Sequence, residues 1–213
     1  MSENTHTTPA RALSHPAASP FRLASARSSL PMGCDHSQRV ATLAVGLARS
    51  LGAKREFIQS VSLAGLLHDI GKQAIPLEIL DKPGRLTEHE FQIIRTHPQH
   101  GHDLLSRLPG FEPILPAVLL HHERFDGGGY PHGLSGRSIP LIARIIALAD
   151  AFDAMVSDRP YQAARSIPDA MNEVRAGSGA HFDPSLVSLF LGEVVPASFG
   201  AAPIPVAERR RAA

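Results

Sequence analysis

The chain has 213 residues, a formal net charge of +1 and 19% charged residues. That is room for one domain with a sizeable core, and far too little basic excess for a nucleic-acid surface. A single cysteine, Cys34, excludes an internal disulfide, and no apolar stretch is long enough to span a bilayer or to serve as a signal core, so a cytoplasmic protein without membrane insertion is expected.

Residues 1–30 are rich in Ser, Thr, Ala and Pro without sustained periodicity and read as a disordered tail. From His36 onward the pattern turns helical. Val40, Leu43, Leu47 and Leu51 share one face, and Gly52 stops that helix. A second helix covers "EFIQSVSLAGLLHDIGK", with Gly71 as its stop. Thr87 and Glu90 have capping-box spacing at the head of a third, "EHEFQIIRTH", which Pro98 should end. "QHGHDLLSRL" and "EPILPAVLLHH" make a fourth and a fifth. "IPLIARIIALADAFDAM" is apolar nearly all round and so central. Two more helices run over Ser166 to Arg175 and Pro184 to Val194, and residues 196–213 look loose. No convincing strand is found. The expected class is all-α, a compact helical bundle over residues 31–195.

The unusual feature is histidine: twelve, against two tyrosines and no tryptophan. Each taken alone reads best as a hydrogen-bonded core residue. Jointly that reading fails, because several separate apolar helices deliver a His or Asp where the pattern turns inward. His36 extends the face of the first helix. His68 and Asp69 close the apolar run "VSLAGLLHD", with Lys72 one turn on. His97 precedes Pro98, and His121 and His122 end the fifth run. Asp150 and Asp153 lie three apart on the central helix, where a carboxylate is costly unless it is paired or binds a metal. A helix-end salt bridge is the plainer alternative for that pair. Five histidines and two carboxylates exceed what one ion needs, so two metal ions fit better, with Fe(II), Mn(II) or Zn(II) suited to thiolate-free ligands. Paired ions are the usual device for phosphoryl displacement. His89, His100, His102, His132 and His181 lie on polar stretches or loops and serve as controls, with His100 and His102 left open by periodicity alone.

"HDIGK" (68–72), "HHERFDGGGYPHGL" (121–134) and "DAFDAMVSDRPY" (150–161) resemble the HD-GYP domain, with "DHSQRV" and "RTHP" where that family carries its other histidines. The resemblance implies a stand-alone HD-type helical domain that hydrolyses cyclic di-GMP to pGpG, then often to GMP. It implies a two- or three-metal centre, Fe(II) or Mn(II), taken here as dinuclear, with a bridging hydroxide as nucleophile. By position, His36, His68, Asp69 and Asp150 would hold one metal, and Asp69 would bridge to a second held by His97, His121 and His122. Lys72 would bind phosphate and help protonate the leaving oxygen. Arg159, Gly129 and Tyr130 would contact substrate, the glycines giving room for a bulky dinucleotide. Asp126 would brace the loop and Asp153 would stand behind the ligands. A diguanylate cyclase is the implied partner of the GYP loop. Two positions depart from the pattern: Met32 stands where members with a third metal carry glutamate, and Gln162 follows DRPY where many carry Lys or Arg. The alternatives are a weakly active cyclic di-GMP sensor or scaffold, and a phosphohydrolase of another cyclic dinucleotide such as cyclic GMP-AMP.

Overall fold

The structure is a computed structural model that describes residues 34–157 and 163–200. The tails and the stretch 158–162, which includes Arg159 and Gln162, lie outside the described residues, as does Met32. Among the described residues ten α-helices follow in order: α1 (Cys34–Ser50), α2 (Arg55–Leu67), α3 (Leu77–Leu80), α4 (Glu88–Ile94), α5 (His97–Leu105), α6 (Leu115–Leu120), α7 (Leu141–Val156), α8 (Ile167–Ala176), α9 (Pro184–Leu189) and α10 (Val195–Phe199). Among the described residues the only β feature is an isolated bridge between Ser178 and Phe182.

The core is built on α7. Its Ile145, Ile146, Leu148, Ala149 and Phe152 are fully buried. They meet Val40, Ala44 and Leu47 of α1, Val61 and Ala64 of α2, Val118 of α6 and Phe190. Apolar positions on most sides of α7 draw other helices around it, leaving one half-exposed stripe along Arg144, Ala147, Ala151 and Ala154. The α1–α2 crossing is tight because a side chain at Gly65 would lie 2.5 Å from the Ala41 Cα.

Several boundaries differ from expectation, each for a local reason. Thr87 and Glu90 form both arms of the capping box, so α4 starts where predicted. Pro98 does not end α4, which stops at Ile94; it opens α5, whose first turn has no use for the missing N–H. Gly71 does not cap α2. The helix gives way at His68 to a 3-10 turn over Ile70–Ala74. Near the C-terminus the chain stays helical through a π turn, Phe190–Val194, into α10. The wider turn accommodates Pro196, which lacks the donor an α-helix would need there. Residues 196–199 therefore belong to the folded body, with Phe199 against Phe152 at 5.7 Å between ring centroids.

Candidate metal centre

Five separate pieces of chain, α7 among them, converge around Asp69 and Asp150. The 3-10 turn after Asp69 crosses the start of α5 at backbone contact: a side chain at Gly71 would lie 1.9 Å from the His97 carbonyl oxygen and 2.4 Å from the Gly101 nitrogen. This approach brings His97 Nε2 to 3.2 Å from Asp69 Oδ1. His121 and His122 follow the end of α6, His36 comes from the first turns of α1, and Asp150 from α7.

The backbone sets which ring atom each histidine presents. His68 Nδ1 lies 2.9 Å from the Gly65 carbonyl, His97 Nδ1 2.8 Å from Ile94 and His121 Nδ1 3.0 Å from Val118. With Nδ1 donating to a carbonyl, Nε2 is the atom left to face the centre. His36 does the same with a carboxylate, its Nδ1 2.6 Å from Asp153 Oδ2 and its Nε2 3.2 Å from Asp150 Oδ1. Asp153 is itself held by Arg39, whose Nε donates to Oδ1 at 2.6 Å. The plainer salt-bridge reading thus holds for Asp153, with its partners on α1, and it leaves Asp150 free to face the cluster.

Two groups of donor atoms result, each within 4.8 Å of one another: Asp69, His97, His121 and His122 in one, and His36, His68 and Asp69 in the other. Asp69 belongs to both, and Asp150 Oδ1 adds to the second at 3.8 Å from His68 Nε2. The residues fit metal ions by two independent observations. Buried His68 Nε2 and Asp69 Oδ1 find no hydrogen-bond partner, a costly condition for atoms of such polarity. The Nε2 atoms of His97 and His121 stand 3.3 Å apart, where at most one proton can lie between them and a shared cation relieves their repulsion.

Charge follows the same layout. Burial would raise the Asp69 carboxyl, but His121, His68 and His97 around it hold it well below its usual range. Asp150 is likewise held low, because His36 outweighs its burial. Hydrogen bonds to Asp150 and Asp153 push His36 up to about 9. Burial pulls His68 down, yet Asp69 outweighs it and the net shift is upward. His121 and His122 are pushed down by burial and stay neutral. Lys72 Nζ sits at the rim, 2.5 Å from Asp69 Oδ2.

The loop after His122 is folded back on the histidines. Tyr130 N donates to the His122 carbonyl at 3.2 Å, and the Tyr130 ring stacks on the His122 ring at 4.8 Å. The Arg95 guanidinium lies over the same Tyr130 ring, 4.5 Å from its centroid. Buried Glu123 accepts from the backbone of His132 at 2.7 Å and of Leu134 at 3.0 Å, closing the loop. Asp126 accepts from Gly128 N and from Arg124, inside the loop it was expected to brace. The expected reason for Gly129 needs correction. A side chain there would lie 2.3 Å from Arg124 N and 2.5 Å from the Glu123 Cα, so the close approach is to the protein's own backbone.

The structure thus brings together His36, His68, Asp69, His97, His121, His122 and Asp150, with Lys72 at the rim and Asp153 behind His36. His89, His100, His102, His132 and His181 join neither donor group. Arg159 lies outside the described residues. Sequence reasoning missed Arg39, Arg95 and Glu123. Arg39 sits three residues after His36, a same-face spacing that marks a partner for the same acid. Glu123 carried a weaker signal, an acid directly after two inward histidines. Arg95 carried none.

Comparison with known proteins points to the same family as the motifs. The HD domain family model matches residues 23–186, beginning before the boundary drawn from composition at residue 31. A cyclic di-GMP phosphodiesterase of Thermotoga maritima is 44% identical over 160 residues, covering 73% of this chain and 43% of that protein. The 3'3'-cGAMP-specific phosphodiesterase 1 of Vibrio cholerae is 44% identical over 140 residues, 66% of this chain and 32% of that one. The chain therefore spans less than half the length of either relative. Among solved structures, Bd1817, an HDG"Y"P protein from Bdellovibrio bacteriovorus, superimposes with a TM-score of 0.61 at 22% identity, covering 74% of this chain and 50% of that one. On its motifs, its helical fold and these matches, the chain belongs to the HD domain family, in the HD-GYP branch.

Proposed function

We propose that this chain is a metal-dependent phosphodiesterase that hydrolyses cyclic di-GMP to pGpG, GMP or both. The observation that carries the proposal is the pair of donor groups sharing Asp69, with Lys72 Nζ at their edge. His97, His121, His122 and Asp69 would hold one divalent cation; His36, His68, Asp150 and Asp69 would hold the other. Fe(II) and Mn(II) suit this imidazole and carboxylate set. Two such ions, when bound, supply a water-derived nucleophile at neutral pH and neutralise the phosphate.

The chain's own groups do the rest. The backbone carbonyls and Asp153 fix the histidine rings, so the ligands are aimed before any substrate arrives. Hydrolysis adds the water oxygen to phosphorus and breaks the P–O3' bond, and the departing 3'-oxygen needs a proton. The Lys72 ammonium, next to Asp69, would bind a phosphate oxygen and give that proton from Nζ. Tyr130 and Gly129, packed on His122, wall the approach, and Arg159 is proposed as a further phosphate or guanine contact. A diguanylate cyclase docking on the GYP loop and a cytoplasmic location belong to the same proposal.

A second reading, cleavage of 3'3'-cGAMP, draws support from the identity to the Vibrio enzyme named for that substrate. One experiment addresses both. The protein is purified without oxygen and loaded with Fe(II) or Mn(II). Each cyclic dinucleotide is then followed by chromatography beside an Asp69→Ala control. Faster loss of cyclic di-GMP, absent in the control, supports the first reading, and faster loss of 3'3'-cGAMP the second. Intact substrates with two metals bound would sink both.

A further inference from the structure

A cyclic dinucleotide carries two phosphodiesters, and only one can sit at the metals when a bond is cut. The other is a full negative charge near the site and needs its own cationic partner. The ring contacts at Tyr130 show where such a partner stands. Tyr130 stacks on His122 at 4.8 Å and 23°. The half-buried Arg95 guanidinium lies over that same Tyr130 ring at 4.5 Å, and 5.9 Å from the ring centroid of exposed Phe91. Arg95 therefore stands beside the donor groups, sharing the Tyr130 ring with His122. A guanidinium resting on ring faces keeps its N–H donors for another acceptor. Among the described residues no carboxylate forms an ion pair with Arg95. Its place is also fixed: it caps α4 two residues before His97 and is seated by the loop that follows His122.

We infer that Arg95, held on Tyr130, binds the phosphate of the cyclic dinucleotide that is not being cleaved. This rests on the phosphodiesterase reading and adds a specificity-determining residue to it. A one-phosphate diester has nothing to offer Arg95, so the residue selects for two-phosphate substrates.

The test compares the metal-loaded wild-type chain with Arg95→Gln and Arg95→Lys on cyclic di-GMP and on bis(p-nitrophenyl) phosphate, with the metal content of every sample. Loss of one charged hydrogen-bonding contact should raise KM for cyclic di-GMP about 10- to 100-fold in the glutamine variant. The fall in kcat should be smaller than the rise in KM. Kinetics on the one-phosphate ester and the metal content should stay as in wild type, and the lysine variant should fall between. An unchanged KM for cyclic di-GMP overturns the inference. So does an equal loss on both substrates with less metal bound, which would make Arg95 a brace for Tyr130 and His97. A wild-type chain that cleaves the simple ester and leaves cyclic di-GMP intact sinks the substrate reading instead. Titration with pGpG, which also bears two phosphates, then decides Arg95 by itself: weaker binding by the glutamine variant supports the inference, and equal binding overturns it.

Discussion

His36 shows how one residue's surroundings prepare it for a cation. With Asp150 and Asp153 on its two nitrogens its pKa rises to about 9, so at pH 7 the ring carries an extra proton. A metal ion entering at Nε2 must expel it. Metal loading at pH 7 should therefore release at least about one proton per chain, and apparent affinity should climb about tenfold per pH unit from 7 toward 9 before levelling off. Titration calorimetry in buffers of different ionisation enthalpy reads both; a heat independent of the buffer would show that His36 enters neutral. Asp153 acts through that same ring. Asp153→Asn should weaken metal binding about 10- to 100-fold while leaving the ligands in place. The partly exposed Arg39 on the other side of Asp153 should matter less.

At the scale of elements, the decisive contact is bare backbone on bare backbone. Gly71 lets the turn after Asp69 lie on the start of α5. Gly71→Ala should cost about 1–3 kcal/mol by overpacking and, by moving Asp69 away from His97, should lower metal content as well. Thr87→Ala is the contrast. It removes the α4 cap, worth about 1 kcal/mol, far from the donor atoms. Thermal melts should show both losses, but only the glycine variant should bind less metal. The Glu90 arm of that cap also has a pH signature. The Lys82 ammonium, with help from the Thr87 backbone, lowers Glu90 from 4.5 to about 2. Its contribution is full above about 4.5 and is lost as pH falls from there toward 2.

These elements also show what could be read in the chain beforehand. Local chemistry was legible: the capping box, Gly52 with its positive φ of 67°, and the apolar stripe of α1 through Leu47, while Leu51 falls past the helix end and is exposed. The histidines were legible because their polarity conflicts with the apolar runs they close. The Gly71–His97 contact was not, since it joins residues whose nearness depends on the packed fold, so the glycine looked like a helix stop. Pro98 misled for a related reason: proline ends one helix or begins the next, and the choice depends on where His97 has to point. Arg95 was invisible because a cation on a ring leaves no periodic trace.

For the whole molecule, the donor atoms come from α1, the ends of α2 and α6, the start of α5, and α7, so bound ions tie most of the bundle together. An ion that binds only the folded chain stabilises it by about 2.7 kcal/mol at a hundred times its Kd. Chelator should therefore lower the melting temperature of the loaded protein, and added Mn(II) should restore it. An unchanged melting temperature would show that the ions sit on a body already rigid without them. Asp69→Ala should lose both donor groups together, since its carboxylate belongs to each.

The spread of those donors along the chain bears on when the protein can acquire its metal during synthesis. The group of Asp69, His97, His121 and His122 has all its members once residue 122 has been made. The His36 and His68 group still waits for Asp150, on the very helix that the other helices pack around. A growing polypeptide on the ribosome therefore lacks part of the second donor group for the time it takes to make roughly thirty more residues, a matter of seconds at about 5–20 residues per second. The core can close over the proposed ion sites only after α7 has been made. A metal taken up before α7 is made would be held by the half-built cluster alone, so on the proposed reading the timing of cation supply becomes part of making the protein.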